Sequence, residues 1–362
     1  MAIHIVKLSK MNNDEDLEES IIGFDALYSS MHRCKSGVIW KDSVAHFVLN
    51  GIEETIKLEK ELKDGTYTAR QPVPFRITSP KPRDIISISF RDRVYQRSLN
   101  DNTIYPEMTK HFIYDNGACQ KNKGTDFARD RLKCFLQRFY RKYGTEGYVF
   151  QCDIHGYYPN MRHDVAKNTF REHLDDVSYE RAVEVLDGQY QGDIGYNAGS
   201  QMIQIAGISV LNKLDHFIKE QLHIKYYIRY MDDLILIHKD KEYLNYCKAM
   251  ILIELNDLGF EFNPTKTRIY KLKEGILFLG FTYRLTSTGK VLLHINSKNV
   301  RQERKKLVRL VNLAKKGELS KDKVDQCFDC WCNHAGKGNS YRLLLRMRAY
   351  YEELWRNNDE CC

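Results

Sequence analysis

The stretch "IKYYIRYMDDLILIHKD", residues 224–240, sets two adjacent aspartates, Asp232 and Asp233, in the middle of an apolar, β-prone run. Charged side chains are almost never fully buried unless they are paired, so an apolar strand normally carries them at its ends. The segment predicts two antiparallel strands joined as a hairpin around the aspartates. It therefore places a carboxylate pair close to the protein interior.

Two interpretations of the pair are open. Aspartates are common in hairpin turns, where they accept hydrogen bonds from nearby amides. However, the flanking runs YYIRYM and LILI are apolar enough to form core strands. Two adjacent carboxylates held there repel each other and lose hydration, which costs several kcal/mol unless a cation compensates. Hard oxygen ligands of this kind suit Mg²⁺, so the sequence favours a metal site.

A third carboxylate is expected to complete the site. In "EGYVFQCDIHGYYPNM", residues 146–161, Asp153 ends another short apolar strand. Two such strands in one antiparallel sheet would bring the three carboxylates together. Two metal ions held there would activate a hydroxyl nucleophile and stabilise a leaving phosphate oxygen. The pattern predicts phosphoryl transfer.

Composition sets broad limits on the function. The chain has 362 residues, enough for two or three subdomains, and its 43% apolar and 29% charged residues are typical of a globular protein. The net charge of +8, from 56 Lys and Arg against 48 Asp and Glu, favours a polyanionic partner such as nucleic acid. Many proteins without such a partner are equally basic, so charge alone only favours this class.

The expected location is the cytoplasm, without a membrane partner. The N-terminal sequence has no apolar segment of signal-peptide length, and no run approaches the roughly 18 apolar residues that a membrane span needs. The ten cysteines are interpreted as reduced thiols.

The hydrophobic spacing predicts an α+β fold. Apolar residues at three- and four-residue steps predict helices over residues 16–64, 125–143, 163–187, 201–222, 240–258 and from 297 onward. Strands joined by turns are expected in 71–94, at 148–152, in the hairpin and in 276–285. Helices and strands do not alternate in the regular βαβ rhythm of a parallel sheet.

The ordered set of "YMDD" (230–233) after "DIHGYY" (153–158) resembles the catalytic core of reverse transcriptases, particularly the bacterial enzymes. The resemblance covers about residues 40–345. It extends to the fingers motif "PFRITSPKPRDIISISFRDRVYQ" and the following "FIYDNGACQKNKGTDFA", the glycine-rich "IGYNAGSQMIQIAG", and "NPTKTRIYKLKEGILFLGF". "CWCNHAGKGNSYRL", residues 330–343, is similar to a thumb segment in relatives of group II intron and diversity-generating retroelement enzymes.

This resemblance implies a right-hand polymerase with fingers, a palm built on an antiparallel sheet, and a helical thumb. The implied domains are an N-terminal helical extension and fingers base (1–70), fingers and palm (71–290) and thumb (291–362). The implied activity is RNA-directed DNA polymerase, a nucleotidyltransferase that adds dNTPs to a primer 3′-hydroxyl. Two Mg²⁺ ions, or Mn²⁺ in their place, would serve as cofactors, and an RNA template and nascent DNA would be the partners.

The resemblance also assigns roles at the metal site. Asp153 and Asp232 become the principal metal ligands, with Asp233 beside them and the Ile154 carbonyl as an oxygen ligand. Lys266 would donate a proton to pyrophosphate or pair with it; a plain surface lysine is the alternative.

Other residues are expected to contact the incoming nucleotide. Lys81 and Arg83 would grip the triphosphate with Arg76 behind them, because arginine forks match phosphate oxygens; a solvated basic strand face is the alternative. Tyr158 occupies the position where the family places an aromatic ring beneath the sugar, excluding a 2′-hydroxyl; the alternative is a core tyrosine. Gly199 and Gln204 would lie beneath the template–nucleotide pair.

The glycine-rich loop departs from the family pattern. Asn197 and Ala198 stand where many reverse transcriptases have Pro-Gln, and Ile203 stands where the diversity-generating branch commonly has serine before its glutamine. These differences are compatible with relaxed fidelity. Tyr230 is expected to support the primer end, and template phosphates are assigned to Lys121 and Lys123.

Two features of the C-terminal region have alternative interpretations. The helix expected over 299–316 is strongly basic, which is typical of a solvated amphipathic helix and also of a thumb helix that neutralises duplex phosphates. A zinc site at Cys327, Cys330, Cys332 and His334 has partly suitable spacing, but no second Cys/His pair lies nearby, so packed thiols are favoured.

Competing functions are an RNA-templated RNA polymerase, a template-independent DNA polymerase and a non-catalytic nucleic-acid-binding scaffold. The intact carboxylates argue against the scaffold, and Tyr158 argues against ribonucleotides. Biologically, a stand-alone retroelement enzyme is expected. It would act in diversity generation with a small accessory protein, or in antiviral defence with a dedicated non-coding RNA.

Overall fold

The computed structural model describes residues 14–78, 82–196 and 199–356, and it confirms the α+β class. The expected helical region at the N-terminal end consists of four helices: α1 (14–22), α2 (Phe24–Cys34), α3 (Asp42–Leu49) and α4 (Gly51–Lys63). Their apolar residues recur at three- and four-residue steps, as Leu58 and Leu62 do in α4, and both of these are buried. The helices therefore pack one face inward, as amphipathic helices do.

The next segment forms a hairpin followed by a helix. Strands β1 (Val73–Ile77) and β2 (Arg83–Ser87) pair antiparallel. The expectation of strands up to residue 94 is wrong, because α5 (Phe90–Leu99) begins at Phe90. Ser89 caps it by accepting a hydrogen bond from the Asp92 amide at 3.2 Å. A π-helical turn (Asn100–Ile104) and the short helix α6 (Tyr105–Thr109) follow.

In the middle of the chain the helices and strands follow the predicted order, but two of the predicted helices are divided into shorter ones. Helix α7 (Thr125–Tyr143) leads to strand β3 (Tyr148–Asp153). The helix expected over 163–187 is two helices, because Asp175 starts a new one by capping the Ser178 amide at 2.8 Å. The helices of this region are α8 (His163–Arg171), α9 (Asp176–Gln189), α10 (Gln201–Val210) and α11 (Asn212–His216), with a π-helical turn at Phe217–Gln221.

The hairpin predicted around the aspartates is present. It consists of β4 (Tyr226–Tyr230) and β5 (Asp233–His238), which pair antiparallel, and helix α12 (Lys241–Asp257) follows. With β3 and β6 (Arg268–Lys271) they form a four-stranded antiparallel sheet in the order β4-β5-β3-β6. Strand β6, a basic edge strand of four residues, was not predicted, since its charged ends obscure the apolar pattern.

Both faces of this sheet are buried. Leu234 and Leu236 of β5 pack into one core with α12 and the N-terminal helices, whereas Ile235 and Ile237 face a second core with α7. Adjacent residues of one strand thus enter different cores. This explains why "LILI" reads as a continuous apolar run rather than an alternating one.

A second sheet links this region to the C-terminal helices. The single strand expected at 276–285 is two strands, β7 (Ile276–Phe278) and β8 (Phe281–Leu285), because Gly280 has a φ of +87° and turns the chain. Strand β9 (Val291–Ile295), which was not predicted, completes the antiparallel order β7-β8-β9.

The C-terminal helices are α13 (Ser297–Lys315), α14 (Lys321–Gly336) and α15 (Tyr341–Arg356), and they have their own apolar core around Leu307 and Phe328. Between α14 and α15, the Asn339 amide donates to the Leu293 carbonyl at 2.7 Å, and the Leu293 amide donates to Asn339 Oδ1 at 2.8 Å. Gly338 permits this close approach, since a Cβ there would lie 2.8 Å from the Leu293 carbonyl oxygen. These two bonds tie the helices to β9.

Helix α13 has both features expected of the basic helix. Leu307 and Val311 are buried, while most of the cationic side chains face outward: Lys298, Arg301, Arg304, Lys305 and Arg309. Within the described ranges, no helix is both long and apolar enough to cross a membrane.

Candidate active site

The sheet brings the three predicted carboxylates to one edge. Tyr230 and Asp233 are paired in register, so Met231 and Asp232 form the hairpin turn. Strand β3 runs antiparallel to β5 with Asp153 directly opposite Asp233. The Ile154 amide also donates to the Asp232 carbonyl at 3.3 Å. Each aspartate is held by backbone pairing at the end of an apolar strand.

The turn itself is strained. Met231 has a φ of +56°, in the left-handed region that residues other than glycine rarely adopt. Such a conformation costs about 1–3 kcal/mol and persists only where the surroundings impose it. Here Arg229 Nη1 donates to the Met231 carbonyl at 3.1 Å and helps to fix the turn.

Arg229 belongs to a buried network that the sequence did not indicate. Its side chain and that of Asp215 are fully buried and form an ion pair at 2.6 Å. Asp215 also accepts from the Tyr227 hydroxyl at 2.6 Å, and Arg229 donates to the Ile208 carbonyl at 2.8 Å. The network joins β4 to α10 and α11 beneath the turn.

The carboxylates strongly affect one another. Burial, followed by repulsion from Asp232 and Asp153, raises the pKa of Asp233 to about 7. Burial and Asp153 also raise the pKa of Asp232, against the lowering effects of its own backbone hydrogen bond, Lys266 and Arg83. The site therefore favours an added positive charge.

Lys266 supplies such a charge in this structure. Its ammonium donates to Asp153 Oδ1 at 2.6 Å. Partial burial lowers the pKa of Lys266, but the bond to Asp153 and the charges of Asp153, Asp233 and Asp232 together raise it. Asn263 makes two further bonds to Asp153. Its side-chain Nδ2 donates to Asp153 Oδ2 at 3.0 Å, and its backbone N–H donates to the Asp153 carbonyl at 2.7 Å. Asn263 was not singled out from the sequence, although it lies three residues before Lys266.

The donor set fits a hard divalent cation. Carboxylate oxygens are the ligands that Mg²⁺ takes, and the raised pKa values of Asp232 and Asp233 reflect negative charge that is not fully compensated. Two backbone hydrogen bonds join the chain on either side of Ile154 to residues 261–263. The Asn263 amide donates to the Asp153 carbonyl, and the His155 amide donates to the Glu261 carbonyl. Neither bond uses the Ile154 carbonyl. Among the described residues no group of three or more His, Cys, Asp or Glu side chains is arranged to hold a metal ion as it stands. Asp153 is instead bonded to Lys266 and Asn263.

Tyr158 lies against α10. Its hydroxyl would be 2.9 Å from a Cβ at Gly207, so glycine makes room for the ring. That hydroxyl is buried and has no hydrogen-bond partner among the described residues. Burial raises the pKa of Tyr158, with smaller contributions from Cys119 and Asp232. The ring is half-buried beside the aspartates.

The glycine-rich segment approaches the site through α10. Gly199 is exposed just before the helix, whereas Asn197 and Ala198 lie outside the described residues. Gln204 Oε1 lies 3.8 Å from the Cys119 sulfur, which in turn lies 3.7 Å from the Met231 sulfur. Gln204 is therefore linked to the turn at Met231 and Asp232 through Cys119.

The basic residues of the β1–β2 hairpin are exposed. Arg83 is near enough to lower the pKa of Asp232. Arg76 lies 3.6 Å from Asp84 across the hairpin. Lys81 lies outside the described residues.

The two lysines assigned to the template differ. Lys123 donates to the carbonyls of Tyr114 and Asn116, both at 3.0 Å. These bonds stabilise the loop that contains all three residues. Lys121 is exposed and lies over the Tyr105 ring at 5.1 Å.

The Cys/His group on α14 is divided between different surroundings. Cys332 is buried in the core of the terminal helices, Cys330 is exposed, and His334 packs against the Phe281 ring at 5.1 Å. Cys332 and His334 thus pack at separate places, and Cys330 is exposed to solvent.

One family of known proteins matches the sequence. The family described as reverse transcriptase (RNA-dependent DNA polymerase) matches residues 79–283, more than half of the chain. No curated protein matches the sequence.

Similar solved structures are telomerases. Apo telomerase from Candida tropicalis is 13% identical with a TM-score of 0.47, covering 62% of this chain and 48% of its own. Its form truncated from the C-terminal domain is 15% identical with a TM-score of 0.45, covering 68% and 60%. Telomerase from Candida albicans, in complex with a TWJ fragment of telomeric RNA, is 13% identical with a TM-score of 0.47, covering 79% and 55%. This chain thus spans about half to three fifths of their length.

The family match covers β2, the four-stranded sheet that carries the aspartates, and β7 with most of β8. The fold is the α+β right-hand polymerase fold. The chain belongs to the reverse transcriptase (RNA-dependent DNA polymerase) family.

Proposed function

We propose that the protein is an RNA-directed DNA polymerase that extends a primer 3′-hydroxyl with dNTPs. The observation that carries this proposal is the meeting of Asp153, Asp232 and Asp233 at one edge of a buried sheet, inside the family match. Two divalent ions, Mg²⁺ or Mn²⁺, would there assist deprotonation of the primer hydroxyl and neutralise charge on the phosphates. Asp153 and Asp232, with the Ile154 carbonyl, would hold them.

The chain's own residues contribute positioning and charge. Asp233 adds negative charge beside the two ligands, and Asn263 orients the Asp153 carboxylate through its amide hydrogen. Lys266 is protonated at neutral pH, as an ordinary lysine is, and its pKa is raised further. Its ammonium could therefore pair with, or donate a proton to, departing pyrophosphate. Arg83 and Lys81, with Arg76, would bind the triphosphate.

The template–nucleotide pair would lie over α10, near Gly199 and Gln204. Tyr230 would support the primer end, and the basic face of α13 would track duplex phosphates. In this proposal residues 1–70 form the helical extension and fingers base, 71–290 the fingers and palm, and 291–362 the thumb.

The biological setting is a narrower proposal. The motif resemblance supports a bacterial enzyme that acts alone in a retroelement or in phage defence, in the cytoplasm. A dedicated non-coding RNA or a small accessory protein would be its partner and would help to present the primer or the template. A structured RNA gene beside the coding sequence supports defence, whereas a template/variable repeat pair supports diversity generation.

Primer extension tests the activity. Wild type with Mg²⁺ should incorporate dNTPs on an RNA template, and the Asp232→Ala/Asp233→Ala variant should incorporate none. The same assay with a DNA template and without a template separates the activity from DNA-directed and template-independent synthesis. Equal incorporation by wild type and variant would exclude these carboxylates as the site.

Replacing Tyr158 should change sugar selection. Tyr158→Ala is expected to raise ribonucleotide incorporation relative to dNTPs, because it removes the ring that would meet a 2′-hydroxyl. Tyr158→Phe is the matched control: it keeps the ring and removes a hydroxyl that has no partner, so selectivity should not change. Unchanged selectivity in Tyr158→Ala would assign the ring to packing alone.

A further inference from the structure

Both carboxylate oxygens of Asp153 carry a hydrogen bond in this structure. Lys266 Nζ donates to Oδ1 at 2.6 Å, and Asn263 Nδ2 donates to Oδ2 at 3.0 Å. The Asp153 side chain is only 8% exposed. A divalent cation that binds this carboxylate would therefore lie close to the Lys266 ammonium, and two cations repel each other strongly where little water screens them.

Asn263 is fixed in place and can remain when a cation binds. Its backbone N–H donates to the Asp153 carbonyl at 2.7 Å, and its Oδ1 accepts from the Thr265 amide at 3.1 Å and from the Thr265 hydroxyl at 2.8 Å. Moving Asn263 would break bonds of both its backbone and its side chain. Because its side-chain amide is neutral, Asn263 orients Asp153 without repelling a cation.

Lys266 is free to leave. Its side chain is 54% exposed, and Asp153 is its ion-pair partner. Exposed ion pairs contribute little to stability, because water competes for both charges and the side chains lose entropy when they pair. Lysine also carries its charge on a flexible four-carbon stem. The ammonium can therefore move while the backbone stays in place, held by the bond from the Lys266 amide to the Asn263 carbonyl at 3.2 Å.

The three carboxylates need a compensating positive charge. The charge of Lys266 lowers the pKa of Asp232 and of Asp233, against the raising effects of burial and of repulsion between the carboxylates. Among the described residues, Lys266 is the only cation that forms an ion pair with any of the three. Lys266 and a divalent cation are thus alternative sources of the same charge.

We propose that Lys266 is a displaceable counter-ion: in the empty enzyme it holds Asp153 in place of a divalent cation, and in the loaded enzyme its ammonium leaves Asp153 for the phosphates of the nucleotide. The second half of this inference rests on the proposed function. Departure from Asp153 is what makes the ammonium available to pyrophosphate. Because coupling between binding sites is reciprocal, cation binding and nucleotide binding should each favour the other through Lys266.

Amine labelling of wild type tests the movement. Acetic anhydride reacts with lysine amines that are open to solvent and unpaired, so an ammonium bonded to Asp153 should react slowly. Mass spectrometry of the labelled peptides should show several-fold more acetylation of Lys266 in Mn²⁺ than in chelator. Lys273 is the internal control, since it is exposed and forms no ion pair with a described residue, and its labelling should not change. Unchanged labelling of Lys266 overturns the inference.

Mn²⁺ binding without nucleotide or nucleic acid tests the competition. Free Mn²⁺ is measured by its EPR signal during titration of wild type, Lys266→Met and Lys273→Met. Lys266→Met should bind Mn²⁺ about tenfold more tightly than wild type, which corresponds to removal of a competing contact of roughly 1.4 kcal/mol. Lys273→Met changes the net charge equally and should bind as wild type does. Equal affinity in all three proteins, or equal tightening in both variants, contradicts a specific role for Lys266.

The same substitution should change stability in opposite directions with and without the cation. In chelator the unfolding temperature of Lys266→Met should lie below that of wild type, because the carboxylates lose their counter-ion. In saturating Mn²⁺ it should equal or exceed that of wild type, because a ligand stabilises more the folded protein that binds it more tightly. A variant that is as stable as wild type in chelator would show that Lys266 does not compensate the carboxylates.

Primer extension by wild type separates this inference from the proposed function. Tighter Mn²⁺ binding by Lys266→Met, together with no dNTP incorporation by wild type, would support the counter-ion and overturn the proposed activity. Incorporation by wild type, together with equal Mn²⁺ affinity in wild type and Lys266→Met, would overturn the counter-ion alone.

Discussion

Asp233→Asn is expected to lower the rate of dNTP incorporation by about 10²-fold or more, the effect of losing one group that stabilises developing charge. The same substitution should make the metal-free protein more stable at neutral pH. Burial and the two neighbouring carboxylates raise the pKa of Asp233 to about 7, so its ionised form is unfavourable in the folded state. Asparagine keeps the shape and removes that charge.

The sign of the pH dependence follows from the raised pKa. In the unfolded chain an aspartate titrates near pH 4, about three units below the folded value. The contribution of Asp233 to wild-type stability should therefore fall as pH rises from about 4 to 7, and it should level off above that range. At pH 8 Asp233→Asn should exceed wild type by on the order of 3 kcal/mol, and the difference should close toward pH 4.

Urea unfolding in chelator, at a series of pH values, measures this difference. Asp257→Asn, an exposed carboxylate at the end of α12, is the control and should leave the pH dependence unchanged. A variant that is less stable than wild type at pH 8 would show that the carboxylates do not repel one another in the folded protein.

Arg229→Met should destabilise the fold by about 3–5 kcal/mol, because it leaves Asp215 charged and buried with only Tyr227 as a hydrogen-bond donor. It should also remove the donor that holds the Met231 carbonyl. Removing the charges of both Arg229 and Asp215 should have a smaller effect on stability than removing that of Arg229 alone. Arg229→Met/Asp215→Leu should recover much of the stability, since apolar groups can replace a buried ion pair at little cost.

The double variant separates stability from catalysis. If Arg229 positions the turn, primer extension by Arg229→Met/Asp215→Leu should stay low even though urea unfolding shows a recovered fold. Full recovery of both properties would assign the pair to stability alone. Equal stability of Arg229→Met and wild type would contradict the buried ion pair.

The sequence indicated those parts of the site that depend on local pattern. The hairpin at 224–240 was predicted because apolar runs flank the aspartates, and Asp153 because it ends a similar run. The partners of these residues were not predicted. Asn263, Arg229 and Asp215 have ordinary sequence surroundings, and their roles arise only where distant segments meet.

The errors in the fold have similar causes. Residues 90–94 contain enough β-prone side chains to suggest a strand, but the Ser89 cap and the buried Asp92 carboxylate, which accepts from Tyr67 and Ser89, start a helix there. Strands β6 and β9 are four and five residues long and depend on neighbours for their pairing. Their register is a property of the sheet rather than of the segment.

The reciprocal bonds between Asn339 and Leu293 have a mechanical consequence. They attach the α14–α15 loop to β9, so a rotation of the terminal helices at that loop has to break them or move the strand as well. A duplex that presses on the basic face of α13 would load the β7–β9 sheet directly. Force from the moving product would thus be transmitted to the β7–β9 sheet instead of being taken up by bending of the α14–α15 loop.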